Sequence, residues 1–87
     1  MNSAVTLYRI NPAKNCHRWY HLDIQPDLFG NSCVIRGWGR IGHSGQVRMT
    51  PYPTEEEAQA AFIKQRGTKE RKGYVAAEAS SYLHTDH

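Results

Sequence analysis

The sequence predicts an α+β fold, in which one α-helix packs on a twisted antiparallel β-sheet of about four to five strands. Two observations carry this prediction. Four segments rich in β-forming residues precede one segment with helical periodicity, and short turn-forming stretches separate them. At 87 residues, the chain is long enough for one small domain. We assign that domain to residues 1–76 and expect residues 77–87 to form a loosely held C-terminal tail.

The first half of the chain has the pattern of strands joined by turns. Residues 4–10 (AVTLYRI) and 16–25 (CHRWYHLDIQ) are separated by the turn-forming stretch NPAKN. A second break, PDLFGNS, precedes residues 33–41 (CVIRGWGRI), and residues 45–52 (GQVRMTPY) form the fourth segment. The loop GHSG between the last two has glycine at both ends, which is typical of a hairpin connection.

The clearest helix covers about residues 54–66. Thr54 is a natural N-cap, and Glu57 completes a capping box with it. An apolar stripe at helical spacing, which includes Phe62, should pack on the sheet. Gly67 is expected to end the helix as its C′ residue. After the helix, we expect a short final segment at Tyr74 and Val75.

Positive charge is unevenly distributed along the chain. The formal net charge is +3, and residues 64–72 contain five basic side chains and one acidic side chain. Clustered positive charge favours an anionic partner, of which nucleic acid is the commonest. A solvated end of a helix would produce the same pattern, so charge alone leaves both interpretations open.

Other features of the composition argue against export and membrane insertion. The N-terminal segment has neither a basic start nor a long apolar run, and no segment approaches the ~18 apolar residues of a membrane span. Two cysteines are too few for a disulfide scaffold. We therefore expect a cytoplasmic protein with reduced thiols and no membrane partner.

The histidines and cysteines predict neither a metal site nor an active site. On a strand, His17 and His21 would lie ~13 Å apart, too far to share one ion, and the sequence has no CxxC pair. Cys16 beside His17, and His43 beside Ser44, are sequence neighbours whose side chains point apart on a strand. We expect no enzymatic activity, no cofactor, no metal and no small-molecule substrate.

The third strand contains an unusual stretch, RGWGRIGHSGQ, at residues 36–46. Strand alternation places Arg36, Trp38 and Arg40 on one face and the intervening glycines on the other. If that face is open, it offers an aromatic platform between two phosphate-binding groups. If the helix covers it, Trp38 is a core residue and the buried arginines are costly. We expect the glycines to let a ligand approach Trp38 closely, and the arginines indicate an anionic ligand.

The segment WGRIGHSGQ resembles the signature of the WGR domain, Trp-Gly-Arg-x-Gly-x-x-Gly-Gln. The likeness continues through WYHLDI upstream and through AQAAFIKQ and KGY downstream, so it covers about residues 4–75. The chain is most similar to short bacterial proteins that consist of little more than this domain. The resemblance implies a twisted antiparallel sheet with one helix, in agreement with the fold predicted above.

The resemblance also implies a function. In DNA-dependent poly(ADP-ribose) polymerases, the WGR domain binds DNA at strand breaks. There the motif tryptophan packs on the sugar of a terminal nucleotide, and the motif arginine engages the end or a neighbouring domain. These roles fall on Trp38 and Arg40. A basic residue before the paired aromatics corresponds to Arg18, and contacts near the phosphate correspond to Lys72 and Tyr74.

One position departs from that family pattern, because His17 stands where those relatives have asparagine. The catalytic activity of those relatives lies in a separate domain, so the resemblance implies binding only. The candidate nucleic-acid-binding residues are Trp38, Arg40, Arg18, Arg36, His17, Lys69, Arg71, Lys72 and Tyr74. We expect DNA ends or nicks as the partner. The alternative is a protein-interaction module that docks another protein on the WGR strand.

Overall fold

The computed structural model describes residues 4–76, which form one antiparallel sheet of five strands with one helix on one face. The elements are β1 (Val5–Asn11), a 3-10 turn (Pro12–Lys14), β2 (Cys16–Pro26), β3 (Ser32–Arg40), β4 (Gln46–Tyr52), α1 (Glu55–Arg71) and β5 (Val75–Ala76). The strand order is β4-β3-β2-β1-β5, and each neighbouring pair is antiparallel. This architecture confirms the predicted fold class.

Turn chemistry explains where the first two strands end. Asn15 adopts a left-handed conformation with φ of 52°, and its N–H donates to the carbonyl of Pro12 at 3.1 Å. Between β2 and β3, the Asp27 carboxylate accepts the backbone N–H of Phe29 at 2.8 Å. Gly30 follows with φ of 86°, a value that favours glycine. The two breaks predicted from the sequence are therefore confirmed.

The hydrophobic core lies between α1 and one face of the sheet. The largest fully buried side chains, Leu7, Leu22 and Val34, come from β1, β2 and β3. Ala58 and Phe62 cover them from the helix. Each large apolar side chain buried in this way stabilises the fold by about 1.5–3 kcal/mol. The predicted apolar stripe of the helix thus packs on the sheet.

The helix begins as predicted. Thr54 is its N-cap, and the backbone N–H of Glu57 donates to Thr54 Oγ1 at 3.2 Å. The Thr54 hydroxyl in turn donates to Glu57 Oε2 at 3.1 Å. Three glutamates occupy the first turn, where their negative charge favours the helix dipole.

The predicted end of the helix at Gly67 is wrong, because α1 continues to Arg71. The C-terminal glycine with positive φ is instead Gly73, at 99°. Glycine inside a helix costs about 1 kcal/mol relative to alanine, and contacts of the added turn offset this cost. The backbone N–H of Tyr74 donates to the Lys69 carbonyl at 3.0 Å, which links the end of the helix to the chain that leads into β5. The longer helix also brings its last turn over the sheet.

The short final segment predicted after the helix is present. Val75 and Ala76 form β5 and pair with β1, and Tyr74 is buried just before them. The tail predicted for residues 77–87 lies outside the described residues. Across residues 4–76, the structure contains no helix with the length and apolar character that crossing a bilayer requires.

Candidate functional site

The WGR motif lies in β3, which we call the WGR strand, and its glycines lie under the indole ring of Trp19. This ring is on the opposite face of the sheet from Trp38. A Cβ placed on Gly37 would lie 3.2 Å from Trp19 Cζ3, and one on Gly39 would lie 3.2 Å from Trp19 Nε1. The same ring also crosses Gly45, where a Cβ would lie 2.6 Å from Trp19 Cζ2. The expectation that these glycines admit a ligand to Trp38 is therefore wrong. They create the space that the Trp19 ring occupies.

The indole of Trp19 also bonds to the backbone of the motif. Its Nε1–H donates to the carbonyl of Arg40 at 3.2 Å, which ties β2 to the end of β3. Gly39 is the direct register partner of Trp19, and Trp38 is the partner of Tyr20. The bond and the ring contacts therefore hold the strand from one side while Trp38 faces the other.

Trp38 lies on the helix side of the sheet but at the edge of the core. It is half-buried and packs against the core cluster beside Tyr20, its register partner on β2. Arg36 is half-buried and Arg40 is exposed. Both interpretations drawn from the sequence hold in part, because Trp38 touches the core and also borders an open cavity.

That cavity is an open pocket of about 370 Å³, which we call the Trp38 pocket. Its lining combines aromatic rings with cationic side chains. The lining residues are Arg18, Trp19, Tyr20, Arg36, Trp38, Gly39, Arg40, Gln65, Lys69 and Tyr74. Four of these are cationic and none is acidic. A concave site with this composition suits a ligand that carries both negative charge and an apolar surface.

Lys69 brings the last turn of the helix to the pocket. Its ammonium lies 4.7 Å from the centroid of the Tyr20 ring and 5.5 Å from that of Tyr74, which are cation–π contacts. Partial burial lowers the pKa of Lys69 below its ordinary value of 10.5, and neighbouring positive charges, first that of Lys72, lower it further. The surroundings therefore disfavour the ammonium charge, and a bound anion would favour it.

The tyrosines form the inner wall of the pocket. The Tyr20 and Tyr74 rings meet edge to face, with centroids 6.2 Å apart and an interplanar angle of 65°. The Tyr20 hydroxyl donates to Gln65 Oε1 at 3.3 Å, which links the sheet to the helix. Burial raises the pKa of Tyr20 above 10.0, against the opposing effect of Arg36. Tyr20 is therefore a neutral hydrogen-bond donor at neutral pH.

The structure gathers six of the nine candidate residues around the pocket. These are Trp38, Arg40, Arg18, Arg36, Lys69 and Tyr74. The other three do not line it. Strand alternation places the side chain of His17 on the opposite face of the sheet from Arg18, and Arg71 and Lys72 are exposed at the end of α1.

Four further pocket residues were not predicted as site residues, namely Trp19, Tyr20, Gly39 and Gln65. Alternation along β2 places Tyr20 on the same face as Arg18, and Gln65 belongs to the helical stripe that includes Phe62. These signals were present in the sequence. The sequence did not predict where the helix ends, or that its last turn lies over β2.

No group of three or more histidine, cysteine, aspartate or glutamate side chains is arranged to hold a metal ion within residues 4–76. The two cysteines have different surroundings. Cys16 is half-buried and its thiol contacts the carbonyl of Arg9 at 3.8 Å. Cys33 is buried, and burial raises the pKa of its thiol. A raised pKa disfavours the thiolate that nucleophilic chemistry needs.

Comparison with known proteins identifies the family. The sequence profile of the WGR domain matches residues 3–81. The chain is also 39% identical over 66 residues to a protein of Sinorhizobium fredii that bears the name uncharacterized protein y4dW. That similarity covers 76% of this chain but 32% of the relative, so the chain spans about a third of the relative's length. The protein described here belongs to the WGR domain family.

Proposed function

We propose that this protein is a nucleic-acid-binding module that binds DNA ends or nicks at the Trp38 pocket. The observation that carries the proposal is the lining of the pocket, where four cationic side chains surround aromatic rings and no acidic side chain is present. Arginine forks bind phosphate oxygens, and aromatic rings pack on the apolar faces of sugar and base. One nucleotide presents both kinds of surface.

The shape of the pocket favours a terminal nucleotide over one inside a duplex. The sheet forms one wall with Trp38, and the helix forms another with Gln65 and Lys69. A ligand must enter the space between these walls. A nucleotide at an end or a nick is free to do so, whereas a nucleotide inside a continuous duplex is held by stacking on both sides.

Family resemblance supports the same assignment of roles. Trp38 would pack on the terminal nucleotide, and Arg40 and Arg18 would contact its phosphate. Lys69 and Arg36 would add positive charge from the helix and from β3. Tyr74 would act through the aromatic wall.

Three candidate residues would act outside the pocket. Arg71 and Lys72, exposed at the end of α1, would extend the positive surface toward the rest of the nucleic acid. His17 would require the ligand to pass over the end of the sheet, because its side chain lies on the other face.

The first test is fluorescence anisotropy with labelled DNA. We expect a blunt duplex with a 5′-phosphate to bind more tightly than the same duplex closed by hairpins at both ends, and more tightly than single strand. Trp38→Ala should remove a stacking contact worth about 1–3 kcal/mol per base. Arg40→Ala should reduce the dependence of log affinity on log salt by about 1.

A matched control removes one positive charge away from the pocket. Lys64 is exposed on the helix, so Lys64→Ala should retain the preference for open ends. Thermal unfolding of each variant separates loss of binding from loss of folding, since Trp38 packs on the core. Equal affinity for all three DNAs would reduce the site to a general basic surface. Absence of binding by wild type near physiological salt would contradict the proposal.

One observation favours a protein partner as a second candidate function. The β2–β3 turn presents Leu28 and Phe29 with 98% and 87% of their surfaces exposed. This turn joins β3 at Ser32, at the end of the strand opposite the WGR motif, and Asp27 holds its backbone in place. A protein complex formed through this hairpin should survive nuclease treatment and should lose affinity on Phe29→Ser. A complex that dissolves on nuclease treatment would contradict it.

A further inference from the structure

Three arginines form a row across the sheet next to the Trp38 pocket. Arg9 on β1 is the register partner of Arg18 on β2, and Arg18 is the register partner of Arg40 on β3. All three lie on the face that bears the helix. Each is two positions from a residue of that face on the same strand, namely Leu7, Tyr20 or Trp38. We call Arg9, Arg18 and Arg40 the arginine row.

Charges of one sign placed directly opposite each other destabilise a sheet. Here this happens twice in succession, and none of the three forms an ion pair with a carboxylate in the part of the chain that the structure describes. The ion pair found there joins Arg66 to Glu70 on the helix. The row therefore concentrates charge without an internal counter-charge, which an anionic ligand would supply.

The row reaches beyond the pocket. Arg18 and Arg40 line it, whereas Arg9 does not. Arg9 instead lies beside the end of the helix, since a Cβ placed on Gly73 would be 3.5 Å from Arg9 Nε. From the pocket, the row thus leads toward the exposed basic residues that end α1.

The length of the row exceeds one phosphate group. Adjacent strands lie ~4.8 Å apart, so the outer two Cα atoms of the row are separated by roughly 10 Å. Phosphates along one DNA strand recur about every 3.4 Å of helix axis. Because the strand winds around that axis, its consecutive phosphates lie further apart in space than this rise, so the row spans about two of them. A single nucleotide in the pocket would leave Arg9 without a ligand.

We propose that the arginine row is a track for consecutive phosphates of the strand that continues from the nucleotide in the Trp38 pocket, and that Arg9 is a further nucleic-acid contact. This inference rests on the proposed function. It adds that the protein contacts phosphates beyond the terminal nucleotide of that DNA. It also gives the direction of the strand across the sheet, from β3 over β2 to β1.

Arg9 has a competing structural role that the test must separate. Its guanidinium lies near the C-terminal end of α1, where a positive charge stabilises the helix dipole. A purely structural Arg9 would change the unfolding temperature but would leave the salt dependence of DNA binding unchanged. A phosphate contact would change the salt dependence.

The test measures the affinity of the full chain for a 5′-phosphorylated blunt duplex at several salt concentrations. The slope of log affinity against log salt is negative. For Arg9→Gln we expect it to become shallower by about 0.9, which corresponds to about fivefold weaker binding near physiological salt. Arg9→Lys retains the charge and should retain the slope. Lys64→Gln, which removes an exposed charge on the helix, should retain wild-type affinity within about twofold, as expected for a residue outside the interface.

A second measurement uses ligands of different length. A 5′-phosphorylated mononucleotide and the corresponding trinucleotide are compared as competitors of the labelled duplex. Wild type should prefer the trinucleotide, and Arg9→Gln should lose this preference while its affinity for the mononucleotide is unchanged. If Arg9→Gln bound both ligands more weakly by the same factor, the track would be overturned, because this result would indicate a distorted pocket.

The two proposals fail in different ways. Wild-type affinity and salt slope in Arg9→Gln, with weakened binding in Trp38→Ala, would overturn the track and leave the pocket as the binding site. Absence of DNA binding by wild type would overturn both.

Discussion

Lys69 carries its charge in surroundings that disfavour it. Partial burial and neighbouring positive charges lower its pKa, and its ammonium lies over the faces of two aromatic rings. Residues arranged for binding rather than for folding often reduce stability in this way. We interpret Lys69 as a residue whose position serves the ligand.

Replacing Lys69 by methionine should therefore separate stability from binding. Lys69→Met keeps an apolar stem over Tyr20 and removes the disfavoured charge. We expect an unfolding temperature equal to or above that of wild type at pH 7, together with weaker binding of DNA ends. Thermal unfolding followed by circular dichroism and anisotropy titration would measure the two effects.

The pH dependence of the same variant has a defined sign. Because the folded-state pKa lies below the ordinary 10.5, the unfolded chain binds more protons between the two values. The penalty from Lys69 is therefore present at neutral pH and is relieved as pH rises through the lowered pKa. The difference in unfolding temperature between Lys69→Met and wild type should become smaller in that pH range. A lower unfolding temperature for Lys69→Met, with Lys64→Met unchanged, would contradict this account.

Trp19 shows how one residue explains several others. Its ring packs closely on glycine at three positions, most tightly at Gly45, and its indole N–H donates to the carbonyl of Arg40. The glycines of the motif thus serve the packing of Trp19. The hydrogen bond from Trp19 therefore holds the backbone that carries the Arg40 side chain.

At the scale of elements, the β2–β3 turn depends on one carboxylate. Asp27 accepts backbone N–H groups from Phe29 at 2.8 Å and Asn31 at 2.9 Å, and its second oxygen accepts the Asn31 side-chain amide at 3.0 Å. Hydrogen bonds from Asn31, the strongest of these effects, lower the pKa of Asp27 below its ordinary value. The turn is therefore held more firmly when Asp27 is ionised.

The stability difference between wild type and Asp27→Ala should depend on pH. With a lowered folded-state pKa, the contribution of Asp27 is fully present above the ordinary value of 3.8 and is lost as pH falls through the lowered value. We expect Asp27→Ala to unfold at a lower temperature than wild type at neutral pH, with the gap closing in acid. Asp27→Asn, which keeps an acceptor but does not titrate, is the control. A gap to Asp27→Ala that persists unchanged into strong acid would rule out the ionised carboxylate as the cause.

The helix illustrates a limit of local signals. Its start follows from Thr54 and Glu57, which interact within one turn. Its end does not follow from Gly67, because the tertiary contacts of the last turn outweigh the helix preference of one residue. Lys69 contacts the Tyr20 ring on β2, so the helical state of this last turn depends on β2 being in place.

For the whole molecule, the small core makes stability depend on few side chains. Phe62 is 6% exposed and joins the helix to the sheet. We expect Phe62→Ala to lower the free energy of unfolding by about 3–5 kcal/mol, out of roughly 5–15 kcal/mol for a typical domain. Urea denaturation would measure the change.

The neighbouring residue provides the control. Ile63 is 67% exposed, and Ile63→Ala should change the free energy of unfolding by less than about 0.5 kcal/mol. Similar losses in the two variants would show that the helix does not pack through its Phe62 face. Because the pocket wall includes the helix, Phe62→Ala should also weaken DNA binding without removing any pocket residue.

The sequence by itself determined the strand segments, the start of the helix, the family signature and six residues that line the pocket. These features depend on neighbours a few positions apart along the chain. Alternation placed Arg36, Trp38 and Arg40 together, and the capping box placed the helix. Each signal could be interpreted without knowing which strands pair.

Only the tertiary structure decided which surfaces meet. Trp19 covers the motif glycines, Tyr20 and Gln65 complete the pocket, and Arg9 joins Arg18 and Arg40 in a row. These contacts join residues distant in sequence and depend on the register of paired strands. Register is fixed by the burial of the core side chains of one sheet face under the helix, since a slip of one residue would turn every side chain to the other face. The site exists because of that packing.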